Sequence, residues 1–91
     1  MERITAVARG KVQGVGYRQF ISDCARRMGI HGEVMNLPDG SVRIVVEGPP
    51  AALADFVCFA HAEENPVIRV EKLDVKKEPA TGEFRGFFVH W

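Results

Sequence analysis

From residue 3 to residue 12 the side chains alternate. Ile4, Ala6, Ala8, Gly10 and Val12 fall on one face, and Arg3, Thr5, Arg9 and Lys11 on the other, with Val7 the exception. A period of two predicts a strand whose even face is buried. Phe20, Ile21, Cys24, Ala25 and Met28 then recur at helical spacing, which leaves Ser22, Asp23, Arg26 and Arg27 for water. Gly29 stops that helix, and the two arginines in its last turn suit the negative end of the dipole. Ile30–Asn36 reads as a short strand, Leu37-Pro38-Asp39-Gly40 as a turn, and Ser41–Glu47 as the returning strand, with Val42, Ile44 and Val46 inward. Gly48-Pro49-Pro50 breaks this strand and opens a second helix, because proline is tolerated in a first turn. Leu53, Phe56, Val57 and Ala60 form its stripe, Phe59 is assigned with Phe56 to the core or its edge, and Asn65-Pro66 ends the run. Ile68–Glu78 is a fourth strand whose inward parity shifts between Val70 and Leu73, predicting a bulge near Glu71-Lys72. A loop over Pro79–Gly82 leads to a short fifth strand over Gly86–His90.

Strand, helix, strand, strand, helix, strand is the order of a split βαβ unit. Right-handed crossovers place both helices on the same face of one sheet. The expected fold is α+β, a ferredoxin-like two-layer sandwich with both helices on one face of an antiparallel sheet and the other face open. Its first and third strands are central neighbours, with the second beside the third. Residues 1–91 make one domain, large enough for an independent core.

Composition narrows the function. Twelve Lys and Arg balance twelve Asp and Glu, and apolar residues make up 46%, so a general nucleic-acid or anionic-membrane binder is not expected. Arg3, Arg9, Lys11 and Arg18 nevertheless concentrate positive charge in the first eighteen residues. No apolar run marks a signal peptide or a membrane span. Cys24 and Cys58 read as small buried reduced thiols, with a disulfide between packed helices as the alternative, and a cytoplasmic protein is expected. His31, His61 and His90 have no metal-pair spacing, and the serines and threonines lack a His-Asp partnership; no metal or cofactor is expected. RNA recognition on this topology needs aromatics on the open sheet face, where Arg3, Thr5, Val7, Arg9, Arg43, Val45 and Glu47 are expected instead. No exposed apolar stripe calls for a partner, so a monomer is expected.

The candidate chemistry lies between the first strand and the first helix, in Gln13-Gly14-Val15-Gly16-Tyr17-Arg18. Two glycines let the backbone curl so that successive N–H groups point inward, the helix start adds partial positive charge, and Arg18 adds a planar fork of donors. Such a loop can cradle a phosphoryl group or can simply connect strand to helix. It lacks the Gly-Lys-Ser/Thr ending of a nucleotide loop. Asn36, at the end of the second strand, carries an amide able to accept from water and donate to an oxyanion, although asparagine also commonly begins turns.

Gly10-Lys11-Val12-Gln13-Gly14-Val15-Gly16-Tyr17-Arg18 resembles the first signature of the acylphosphatase family, and Gly32-Glu33-Val34-Met35-Asn36-Leu37-Pro38-Asp39-Gly40-Ser41-Val42 is similar to its second. Glu47-Gly48 follows at a fitting distance, and Thr81-Gly82-Glu83-Phe84 with the Phe87–Val89 tail resembles the family's C-terminal segment. The resemblance implies metal-free hydrolysis of small acyl phosphates. Arg18 and the amides of Gln13, Gly14, Val15, Gly16, Tyr17 and Arg18 would bind the phosphate, and Asn36 would hold the attacking water. Glu33 stands where the family usually has an aromatic and Met35 where it usually has a base; by alternation both point away from the face of Val34 and Asn36. An acylphosphatase-like domain of a carbamoyl-transfer maturation factor and a regulatory anion-binding domain without turnover are the alternatives.

Overall fold

A computed structural model describes residues 1–90. The chain runs β1 (Glu2–Lys11), α1 (Tyr17–Arg27), β2 (His31–Asn36), β3 (Val42–Gly48), α2 (Pro50–Ala60), β4 (Arg69–Pro79) and β5 (Phe87–His90). The sheet order is β4-β1-β3-β2-β5. The first four strands pair antiparallel, so β1 and β3 are central, with β2 beside β3 as the topology requires. β5 adds to the far side of β2 in parallel, which makes the sheet mixed. Both helices cover one face, where Ile4, Ala6, Ala8, Val34, Ile44 and Val46 meet Ile21, Ala25, Leu53 and Phe56 in the core. Each large apolar side chain buried there contributes roughly 1.5–3 kcal/mol.

The β1–β4 register slips between Arg9 and Gly10: Arg9 faces Lys72 and Gly10 faces Val70, so Glu71 is the extra residue. The bulge therefore sits where the parity shift of the fourth strand placed it. Gly10 is required there. Its φ is 127°, and a Cβ would lie 2.4 Å from Arg69 O.

Five side chains depart from the periodic reading. Ser22, expected in water, is fully buried. Cys58, expected to be a buried thiol, is exposed, whereas Cys24 is buried and both are free. Phe59, assigned to the core or its edge, is also exposed, beyond the reach of the sheet. Glu47, expected on the open face with Val45, is buried with it. The cause of this last departure is the connection from β4 to β5, which joins opposite edges of the sheet and crosses the open face on the way.

That strap is pinned by Glu47. Its carboxylate accepts the N–H of Thr81 at 2.9 Å, the Thr81 hydroxyl at 3.0 Å and the N–H of Gly82 at 2.9 Å. Arg3 pairs with Glu47 at 3.5 Å, reaches Glu83, and lies over the Phe84 ring at 5.3 Å. Burial pushes the Glu47 carboxyl up, but the Thr81 and Gly82 amides, the Thr81 hydroxyl and Arg3 together outweigh it and hold the group below the usual carboxylate range.

Candidate active site

The opposite end of the sheet gathers the end of β1, the end of β2, the start of β3 and the start of α1. Gly14 and Gly16 both adopt left-handed backbone, with φ of 73° and 80°, and a Cβ on either would meet open space. Steric crowding therefore does not demand glycine here; the backbone angle does. Gly16 is the N-cap of α1, with no capping side chain and no acid in the first turn among the described residues. The first bond within the helix is Phe20 N–H to Gly16 O at 3.0 Å, so the amides before it have no partner inside the helix. The uncapped helix start therefore carries partial positive charge beside the two left-handed glycines.

Each proposed residue has a definite setting. Gln13 is half-buried, and its Nε2 donates to Leu37 O at 2.9 Å and to Ser41 O at 2.8 Å. These two carbonyls close the β2–β3 turn, where Leu37 N–H also donates to Ser41 O at 2.8 Å. Gly14 and Gly16 are exposed, and Val15 packs against the edge of the core. Tyr17 turns inward: its side chain is buried, and its hydroxyl donates to Ala60 O at 2.7 Å, locking the start of α1 to the end of α2. Burial, with a smaller effect from Cys24, raises the Tyr17 hydroxyl above the usual phenol range, so it stays protonated. Arg18 is half-buried and donates through Nη1 to His90 O at 2.6 Å.

Asn36 occupies the same end. It pairs with Val42, which pairs with Ala8 across β3, and it precedes the turn that Gln13 clamps. Alternation puts it on the helix-covered face with Val34. His90, which holds Arg18, lies beside Met35, one residue before Asn36. Gln13 on one side and Arg18 on the other thus bring the first loop to the end of β2. The Asn36 Oδ1 is buried and has no hydrogen-bond partner among the described residues, a costly state for an acceptor.

The turn is held in shape from outside. Asp39 accepts from the Ser41 hydroxyl and, at 3.0 Å, from Ser41 N–H, and it pairs with Arg9 at 3.1 Å. The Ser41 hydroxyl, the Ser41 amide and Arg9, in that order, lower the Asp39 carboxyl to about 2. Glu33, on the opposite face, pairs with His90 at 3.3 Å and with Arg43 at 3.9 Å. Met35 lies between Arg43 and His90 in the register.

Sequence reasoning missed two supports, the Gln13 side chain as a clamp and the His90 carbonyl as the seat of Arg18. These link residues 24 and 72 positions apart, and local periodicity carries no trace of them.

The fold and this end of it define a class: a ferredoxin-like α+β sandwich with an amide-lined loop, an arginine and a carboxamide at one edge. The chain belongs to the acylphosphatase family and is a hydrolase of that class, with the family's model matching residues 4–89. An acylphosphatase of Thermococcus kodakarensis is 44% identical over 91 residues, covering 98% of this chain and 98% of its own. One from Thermus thermophilus is 42% identical over 91 residues, covering 99% of this chain and 100% of its own. The crystal structure of acylphosphatase from Bacillus subtilis superposes with a TM-score of 0.94 at 31% identity, covering both chains fully. Among the described residues no helix is long and apolar enough to cross a membrane.

Proposed function

We propose that residues 1–91 act as one domain that hydrolyses the carboxyl-phosphate anhydride of small acyl phosphates, such as acetyl phosphate, carbamoyl phosphate and 1,3-bisphosphoglycerate, without metal or cofactor. The observation that carries this reading is the buried, unpartnered Asn36 Oδ1 at the sheet end that also holds the amide loop and Arg18. Arg18 and the amides of residues 13–18 bind the phosphoryl oxygens. The Asn36 oxygen accepts a hydrogen bond from water and turns the water's lone pair toward phosphorus. As the water oxygen bonds to phosphorus, the bond from phosphorus to the acyl oxygen breaks and its electron pair leaves on the carboxylate. The water's proton passes to phosphate or solvent. A carboxylate leaves readily, so no general acid is needed, and catalysis is positioning plus stabilisation of charge.

On this reading the enzyme works as a cytoplasmic monomer, and Glu33 and Met35 change the neighbouring surface while leaving the core reaction intact. Release of inorganic phosphate from acetyl and benzoyl phosphate in the presence of a chelator tests the proposal. Turnover by the unmodified chain and its loss in Arg18→Ala and Asn36→Ala are expected. Absence of turnover in the unmodified chain would overturn it.

A further inference from the structure

Glu33 is an acid on the strand that leads into an anion site. It stands three residues before Asn36 on β2, where a carboxylate works against the approach of a phosphoryl group. Two contacts on the open face of the sheet offset its charge, His90 Nε2 from β5 at 3.3 Å and Arg43 Nη1 from β3 at 3.9 Å. The first of these is an ion pair only while the imidazole carries a proton. The His90 ring is exposed, so solvent reaches it directly.

His90 connects this pair to the other side of the sheet. It is paired with Met35 and shares the open face with it, while its carbonyl accepts Arg18 Nη1 from α1 at 2.6 Å. β5 has four residues and one neighbouring strand, so its end is ready to fray. Further back, the main chain is tied by Gly32 N–H to Gly86 O and by Arg26 Nη2 to Phe87 O, each at 2.9 Å. At His90 the side-chain ties among the described residues are Glu33 on the ring and Arg18 on the carbonyl. The charged groups packed against β5 are therefore Glu33 from β2 and Arg18 and Arg26 from α1, with Arg43 beyond Glu33. His31, two residues before Glu33, lies against Phe84 O at 3.3 Å.

We infer that Glu33 and His90 are positioning residues for Arg18. Their charged contact holds the end of β5, and the His90 carbonyl held there seats the guanidinium, so the affinity of the site for a tetrahedral anion rises when His90 takes up a proton. The inference rests on the phosphate-binding role proposed above for Arg18 and adds to it a proton-controlled support on the opposite face of the sheet. It also accounts for the acid at position 33. Through space the carboxylate opposes an anion; through β5 it favours one by fixing the plane of the arginine fork. The two effects have opposite signs, so removal of the charge tells which of them governs.

Sulfate stays a tetrahedral dianion across the interval in which imidazoles titrate, about pH 5 to 8, so its dissociation constant reads the site without turnover. In the unmodified chain that constant is expected to be about threefold lower at the acid end of the interval than at the other, the size of a partly exposed ion pair. In Glu33→Gln the acid-end constant rises about threefold and the pH dependence disappears, although loss of a negative charge would by itself tighten anion binding. His90→Gln loses the dependence as well. His90→Arg, charged throughout, keeps at the alkaline end the affinity that the unmodified chain has at the acid end. Tighter sulfate binding in Glu33→Gln, or an undiminished pH dependence in His90→Gln, would overturn the couple. Arg18→Ala separates the two levels of the reading. Sulfate binding lost there but unchanged in Glu33→Gln at both ends of the interval would overturn the couple alone, whereas sulfate held by Arg18→Ala as tightly as by the unmodified chain would overturn the phosphate-binding role and the couple together.

Discussion

The two ends of the sheet are built on opposite principles. At one end, Glu47 is buried to 4% exposure and its carboxylate takes three hydrogen bonds and an ion pair, which close the strap over the sheet. At the other, about 17 Å along β3, the loop amides lack helical partners, Asn36 Oδ1 is orphaned, and Lys11 faces Arg69. At the first end the chain itself supplies the buried carboxylate with its partners, though Arg3 Nε has only the ion pair and no hydrogen bond, and the second has donors and acceptors to spare. A fold with a small stability margin can carry polar groups without partners at one end if the other end is well satisfied. The difference teaches where each kind of substitution registers: as lost stability at the strap, as lost chemistry at the loop.

The largest effect is expected at Arg18. Arg18→Ala removes a charged fork from the phosphate and is predicted to lower kcat/KM by about 10³-fold, with a thermal midpoint close to that of the parent; steady-state phosphate release and a melting curve check both halves. At the strap the balance reverses. Glu47→Ala removes the buried one of the two carboxylates that pair with Arg3 and frees two amides, and is predicted to cost about 3 kcal/mol, read by urea unfolding, while folded protein keeps its turnover rate. Loss of turnover without loss of stability at Glu47 would erase the contrast between the ends.

How much of this contrast the sequence carried depends on the range over which each feature acts. Alternation through Ile4, Ala6 and Ala8, the stripe of Ile21, Cys24 and Ala25, and the parity shift near Glu71 are local, and each reappears in the structure. The parallel docking of β5, the burial of Val45 and Glu47, and the clamp from Gln13 to Leu37 and Ser41 join distant segments. Ser22 and Cys58 misled for a related reason. Hydrophilic character set Ser22 outside and thiol character set Cys58 inside, yet the position of each on its helix decided otherwise. In the loop, Gly14, Gly16 and Arg18 stood out in the sequence because the backbone angle and the fixed charge belong to the residue types themselves.

Acid sharpens the comparison more gently. The Glu47 and Asp39 carboxyls are both lower in the folded chain than in the unfolded one, so below about pH 4 the unfolded chain binds more protons. The stability they contribute is present above that pH and is lost as pH falls toward 2. Melting curves across this interval are predicted to fall steeply for the parent and less steeply for Glu47→Gln. The smallest effect is expected beside the site: Met35→Lys places a cation near the end of β2 and is predicted to lower KM for a multiply charged acyl phosphate by about two- to fivefold, consistent with a half-exposed ionic contact. An unchanged KM would remove residue 35 from substrate attraction.

The division of labour within the site is tested most directly by measuring the dissociation constant of inorganic phosphate and the turnover number together in Asn36→Ala. Phosphate affinity within about twofold of the parent, with turnover down by about 10²-fold or more, is the predicted result, because the carboxamide acts on the water and the loop holds the anion. A loss of phosphate affinity as large as that in Arg18→Ala would contradict it.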